Sequence, residues 1–281
     1  MKLLRYGVRG EERPGVLDEA GRVRCLAGVV PDIDGALLAR LPDALAGLDL
    51  GALPLVPDGV RIAEPVARVG KFICIGLNYI DHAHESGMPV PTEPIIFMKA
   101  TSSIIGPDDD VLLPPSSTKS DWEVELGVVI GREARYVPVD AAMDHVAGLV
   151  LVNDLSEREF QLERGGQWDK GKGCDTFGPF GPWLVTLDEF ADIGKLDLWL
   201  DLNGRRMQTG NTDKLIFDVP TIVSYVSQFM SLQPGDIIST GTPPGVGMGM
   251  NPQVWLKEGD VIELGITGLG TQRQQVRRWP G

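Results

Sequence analysis

Apolar residues along this chain fall in short runs bounded by glycine and proline, and long helical stretches are absent. From about residue 70 onward, the runs at 72–77, 94–98, 122–130, 147–152, 196–202, 236–240 and 261–267 have the length and β-branched character of strands. Helical periodicity is clearest at 81–86 and 219–230, the latter behind Asp218 as a cap and with Pro220 in its first turn. Before residue 65, KLLRYGV and GRVRCLAGVV read as two strands, with Glu19 to Gly21 as the turn between them. DGALLARLPDALAGL then reads as one or two short helices broken at Pro42, and Pro54, Pro57 and Pro65 mark a connector. The expectation is a strand-rich α+β protein with a small β-containing N-terminal domain at 1–68 and a larger domain at 69–281.

One strand pattern carries chemistry. In DWEVELGVVIG (121–131), Trp122, Val124 and Leu126 fall on one side of a strand and Glu123 and Glu125 on the other. Two neighbouring carboxylates in an apolar strand repel each other and are costly to bury, a cost that a shared cation removes. An edge strand with a wet acidic face is the other reading. The apolar run 148–152 ends in Asn153-Asp154, which offers either a third carboxylate ligand or an ordinary turn cap. Three oxygen donors suit a hard ion, Mg²⁺ with Mn²⁺ or Ca²⁺ as substitutes. Three carboxylates exceed the charge of a divalent ion by one, and Lys172 is a candidate to balance it.

Three histidines occur, two of them in GLNYIDHAHES (76–86). With Asn78 capping a short helix, His82 and Glu85 share one face, a pairing that raises imidazole basicity and suits activation of water. A zinc site and a polar surface helix compete with this reading, although HExxH spacing is absent. The loop 167–182 is either a surface crossover or a mobile active-site segment. STGTPPGVGMG (239–249) has glycines that let backbone N–H groups approach an anion, but neither the GK[ST] phosphate loop nor GxGxxG. Cys174 has no base beside it to make it a nucleophile.

Composition narrows the class. The formal net charge of −13 disfavours nucleic acid and anionic membrane surfaces as partners. The three cysteines are widely spaced, which points to a reducing cytoplasm rather than a disulfide framework. No apolar stretch approaches the ~20 residues of a membrane helix, and the first residues lack the apolar core of a secretion signal.

Taken in order, IGLNYIDHAHE (75–85), FMKA (97–100), DWEVELGVVIG, VNDLSEREFQ (152–161), WDKGKGCDTFGPFGPW (168–183) and ISTGTPPGVGMG (238–249) resemble the fumarylacetoacetate hydrolase family. The resemblance implies a mixed β-sheet roll and a metal held by Glu123, Glu125 and Asp154. It implies a water-activating dyad of His82 and Glu85 on a lid, with Lys172 as a further catalytic group. Substrate contacts map to Lys99, Arg158, Gln161 and the turn at Gly241 and Thr242. Asn78 stands where animal members carry an acidic fourth ligand, which argues against fumarylacetoacetate itself.

The activity so implied is metal-dependent hydrolysis of a C–C bond in a β-diketo acid (an acylpyruvate), giving pyruvate and a carboxylic acid. Bacterial two-domain relatives such as 2,4-diketo-3-deoxy-L-rhamnonate or fuconate hydrolases point to a sugar acid. Decarboxylation of oxaloacetate, isomerisation of 2-hydroxyhepta-2,4-dienedioate and ureidoglycolate lyase activity are the family's alternatives, and a non-catalytic metabolite binder is the alternative from another class. A homodimer or larger assembly is expected.

Overall fold

The computed structural model of the chain describes residues 1–41, 43–85 and 89–281, with backbone alone at His82, Ala83 and His84. Pro42, the expected helix break, and Ser86, the expected end of the helix at 81–86, lie outside the described residues.

A ten-stranded mixed sheet dominates. From edge to edge its path runs Val23–Cys25, Arg13–Leu17, Lys2–Tyr6, Leu184–Thr186, Val146–Asn153, Val124–Ile130, Ile237–Ser239, Phe72–Gly76, Ile95–Lys99, with Ile62–Ala63 beside Lys2–Tyr6. Neighbours are antiparallel except Ile237–Ser239 and Phe72–Gly76, which run parallel. The N-terminal strands continue this sheet through the pairs Lys2↔Val185 and Leu3↔Leu184. A second sheet of five strands, Arg205–Asn211, Asp197–Leu202, Val261–Ile266, Gly270–Arg278 and Val111–Leu113, covers one face of the first.

Period-two alternation decides what each face meets. Val124, Leu126, Val128, Leu149 and Leu151 pack against Leu200, Leu264 and Ile266 of the second sheet and against Ile222 and Val226 of the helix Val219–Ser227. Val129, Val150 and Val152 point the other way, into a core with Phe72, Cys74 and Leu184. All seven residues of Val124–Ile130 are buried. A strand with neighbours on both edges and cover on both faces excludes the wet acidic edge.

Several expected boundaries change. The regular strand begins at Val124 rather than 122, because Ser120–Asp121 leaves the sheet to pair with Ser156–Glu157. Glu19 to Gly21 turns Arg13–Leu17 into Val23–Cys25, so a strand lies where Pro14 and Gly15 had hidden one. Gly15 suits that place because a Cβ there would lie 3.2 Å from the Arg24 carbonyl oxygen and 3.1 Å from the Tyr6 ring. Gly270–Arg278 was concealed by its polarity. Its inward residues are Gln272, Gln274 and Val276, and both amides are hydrogen-bonded inside the protein. The helix at 219 ends at Ser227, three residues short of expectation, with Asp218 accepting from the Thr221 N–H at 3.0 Å as the cap. No helix among the described residues is long and apolar enough to cross a membrane.

Close strand packing at Gly148 gives a test. A Cβ there would stand 2.3 Å from the Val185 carbonyl oxygen. Gly148→Ala is expected to cost about 1–3 kcal/mol in thermal or urea unfolding. Gly28→Ala, where no atom lies within 4 Å, should stay within about 0.5 kcal/mol of the parent. Equal stability of the two variants would contradict the sheet register.

Candidate metal centre

The register Val124↔Asn153 and Glu125↔Val152 brings the start of one central strand level with the end of the other. Glu123 and Asp154 thus become neighbours just beyond the paired residues, and the Asp154 N–H donates to the Glu123 carbonyl at 2.9 Å. Glu123, Glu125 and Asp154 each offer a carboxylate oxygen, and these oxygens lie within 4.8 Å of one another. All three residues are buried. Asp154 spends its side chain on two lysines rather than on capping a turn.

Three cations surround the acids. Lys172 Nζ donates to Glu123 Oε2 at 2.7 Å and to Asp154 Oδ2 at 2.8 Å. Lys99 Nζ donates to Asp154 Oδ1 at 2.6 Å and to the Leu155 carbonyl at 2.9 Å. Arg158 reaches Glu123 Oε1 at 2.6 Å through Nη2 and Asp121 Oδ2 at 2.8 Å through Nε. Among the described residues, four carboxylates (Asp121, Glu123, Glu125, Asp154) stand against three cations, so the cluster carries one negative charge in excess when all four acids are ionised. Burial pushes the Glu125 carboxyl well above the usual carboxylate range, and Asp154 and Glu123 push it the same way. Burial opposes the Lys172 ammonium, but Asp154 and Glu123 outweigh it and hold Lys172 above its ordinary value.

A hard divalent ion fits this set. The donors are all oxygen, they converge, and their excess negative charge is enclosed. The ion would be held by Glu123, Glu125 and Asp154. Glu125 is aimed from behind by the Ser239 hydroxyl at 2.6 Å and the Gly241 N–H at 2.8 Å. The Gly241 N–H is thus committed to a candidate metal ligand in this structure, where the resemblance implies a substrate contact. Lys99 likewise sits behind Asp154. Lys172, Arg158, Gln161 and Thr242, by contrast, line a cavity of about 260 Å³ together with Glu123 and Glu125. Thr242 is held by its own donation to the Val124 carbonyl at 3.0 Å and by the Gln208 amide at 2.8 Å.

The loop reading of Lys172 gives way to a short helix, Asp169–Lys172, whose last residue is buried. Gln161 sits on a π-helical turn, Glu159–Glu163, where its Oε1 accepts from Arg158 Nη1 at 3.0 Å. Cys174 takes no part in the acid cluster, and burial pushes its thiol up to about 11.

The helix Ile80–Glu85, on which the resemblance places a lid, is the next element after Phe72–Gly76. Asn78 does not cap it. The Asn78 amide donates to the Thr240 carbonyl at 2.7 Å and the Phe217 carbonyl at 3.0 Å, and accepts from the Phe217 N–H at 2.8 Å. This joins the segment before that helix to the turn that carries Gly241. Glu85 accepts from the Gly245 N–H at 2.9 Å, and its carboxyl fills the space that a Cβ at Gly249 would need. The side chain of His82 lies outside the described residues.

Asp121 was overlooked. It accepts from the N–H groups of Trp122, Gly247 and Met248 as well as from Arg158. It thereby ties the loop under Glu85 to the guanidinium on Glu123. Its parity with Glu123 and Glu125 was the available signal. Phe97 and Trp168, which also line the cavity, carried no polar signal to find them by.

The model of the fumarylacetoacetate (FAA) hydrolase C-terminal family matches residues 71–277. A Burkholderia orbicola protein, named provisionally as a hydrolase, is 58% identical over 279 residues, covering 99% of both chains. Among solved structures, fumarylacetoacetate hydrolase from Exiguobacterium antarcticum superposes with a TM-score of 0.90 at 36% identity, covering 99% of this chain and all of its own. Maleylpyruvate hydrolase from Sphingobium sp. SYK-6, solved with manganese(II) and pyruvate, gives 0.81 at 31%, covering 99% of each. A 2-hydroxyhepta-2,4-diene-1,7-dioate isomerase from Mycobacterium marinum gives 0.80 at 30%, covering all of both.

The raised Glu125 carboxyl fixes the sign of a pH effect. Without an ion the folded chain holds a proton on Glu125 above the ordinary value of 4.5. Its stability should then fall as pH rises from there through the raised value. An ion displaces that proton. Adding Mg²⁺ or Mn²⁺ to metal-free protein in a pH-stat should release protons, and the metal-induced gain in Tm should grow with pH over this window. A gain independent of pH, with no proton released, would contradict the assignment.

Proposed function

The chain belongs to the fumarylacetoacetate hydrolase family, and we propose that it is a divalent-metal-dependent hydrolase that splits an acylpyruvate into pyruvate and a carboxylic acid. The observation that supports this most is the enclosed Glu123–Glu125–Asp154 set opening, with Lys172, Arg158 and Gln161, onto one cavity. An ion bound there would supply Lewis acidity to the oxygens of a 2-oxo acid.

The chain's own residues do the rest. The acid cluster has one negative charge in excess, so a divalent ion leaves it one positive charge, which a monoanionic substrate carboxylate neutralises. Gln161 keeps its amide N–H₂ for that substrate, because only its Oε1 is taken by Arg158. Lys172 donates a hydrogen bond toward the oxygen on which enolate charge develops, within a low-dielectric site that strengthens it. His82 takes a proton from water, the role the family resemblance assigns to it together with Glu85. The hydroxide adds to the distal carbonyl carbon, and the bond from that carbon to the methylene breaks. Its electron pair passes to the pyruvate enolate, and a proton on the methylene carbon completes pyruvate. Glu85 seats on Gly245 and Gly249, and in this reading that contact anchors the helix Ile80–Glu85 as a lid.

The isomerase among the structural relatives keeps a second use of the same enolate in view, because isomerisation and decarboxylation need no activated water. The test is a panel of acylpyruvates and oxaloacetate, with and without Mg²⁺ or Mn²⁺, on the parent chain and on His82→Ala. The parent should release pyruvate and a carboxylic acid only with metal. His82→Ala should lose hydrolysis by about 10²–10⁴-fold while retaining any decarboxylation. No turnover of any acylpyruvate by metal-loaded protein would overturn the proposal.

A further inference from the structure

Beyond the acids, their cationic partners and the polar side chains of Gln161 and Thr242, the described residues that line the cavity are Ile75, Gly76, Leu77, Phe97, Leu162, Trp168 and Met248. None of these side chains carries an oxygen. A hydroxyl brought against such a wall gives up its water and finds, at most, the Trp168 indole N–H as a partner.

Four features indicate that the wall is built rather than incidental. The Phe97 and Trp168 rings meet edge to face, with centroids 5.4 Å apart and planes at 64°. Phe97 also lies under Lys172 Nζ, 5.0 Å from the ring centroid, so the aromatic pair adjoins the charged end of the cavity directly. Trp168 is seated on bare backbone, since a Cβ at Gly76 would come within 2.6 Å of its ring. Leu77 holds a positive φ of 52°, a conformation that glycine or asparagine adopts more easily. A leucine kept in that conformation puts a branched apolar side chain on the cavity where glycine would leave a gap.

We infer that the group carried on the far side of the scissile bond is apolar, and that Leu77, Phe97 and Trp168 select it. This rests on the reading that the acidic end binds a 2-oxo acid. It departs from the expected sugar-acid substrate, whose several hydroxyls would face this wall.

The test separates binding from turnover. Mg²⁺-loaded full-length protein is titrated calorimetrically with 2-oxooctanoate and with 7,8-dihydroxy-2-oxooctanoate, which match in length and are not cleaved. The apolar acid should bind at least about 100-fold more tightly, the scale set by one hydroxyl in an apolar pocket. Trp168→Ala and Leu77→Gly should each compress the ratio below about tenfold, while Trp168→Phe preserves it. Leu77→Gly removes the side chain at a backbone position glycine accepts, so its loss of preference cannot be laid to misfolding. Equal or tighter binding of the dihydroxy acid, or binding of neither, overturns the inference. Acylpyruvate turnover is scored separately: apolar preference without turnover removes only the hydrolase reading, and turnover without that preference removes only this one.

Discussion

Four carboxylates are buried where the two central strands of the large sheet meet, and most of the surrounding structure answers to that charge. An isolated buried carboxylate costs several kcal/mol unless it is paired and hydrogen-bonded. Lys99 arrives from the edge strand Ile95–Lys99, Arg158 from the turn after Ser156–Glu157, and Lys172 from the helix Asp169–Lys172. Each places its charge on at least one of these acids. The one negative charge left over among these groups once Glu125 gives up its proton is what would let the site receive a cation rather than close as an ion-pair network.

The same acids are fixed from behind by neutral amides of the second sheet. Asn153 accepts from the Glu123 N–H at 3.2 Å and donates to Gln274 at 3.1 Å, and Gln274 in turn bonds Gln272 at 2.9 Å. Gln208 accepts from the Val124 N–H at 2.9 Å and donates to Thr242 at 2.8 Å. Buried glutamines on Arg205–Asn211 and Gly270–Arg278 thus hold the backbone from which Glu123 and Glu125 project. The five-stranded sheet is therefore part of the site's support, and the two layers cannot shift without moving these carboxylates. Asp121 and Asn78 extend this support to the loop and turn beside the helix Ile80–Glu85.

Much of this was legible in the sequence, and the parts that were not share a cause. Alternation placed Glu123 and Glu125 on one face of a strand, and the run ending in Asn153-Asp154 placed the third acid, because period-two patterning is local information. The strands Arg13–Leu17 and Gly270–Arg278 were not visible. One contains Pro14 and Gly15, and the other turns glutamines inward where an apolar residue is the usual signal. Asn78 illustrates the limit from the other side. Its position before a helix reads as a cap, but its amide is committed to Phe217 and Thr240, which only the tertiary fold brings near. The aromatic wall of the cavity went unread because Phe97 and Trp168 look like any core residues until the cavity they line is known.

The central claim is that Glu123, Glu125 and Asp154 form one divalent-ion site whose charge is balanced by Lys172, Lys99 and Arg158. A crystal structure of the Mn²⁺-loaded protein, with the ion located by its anomalous scattering, tests it most directly. The account predicts one strong peak at coordination distance from all three carboxylates, with Lys172 Nζ displaced from at least one of the oxygens it contacts in the metal-free chain. A peak elsewhere, or none beside carboxylates still bonded to Lys172, would contradict it.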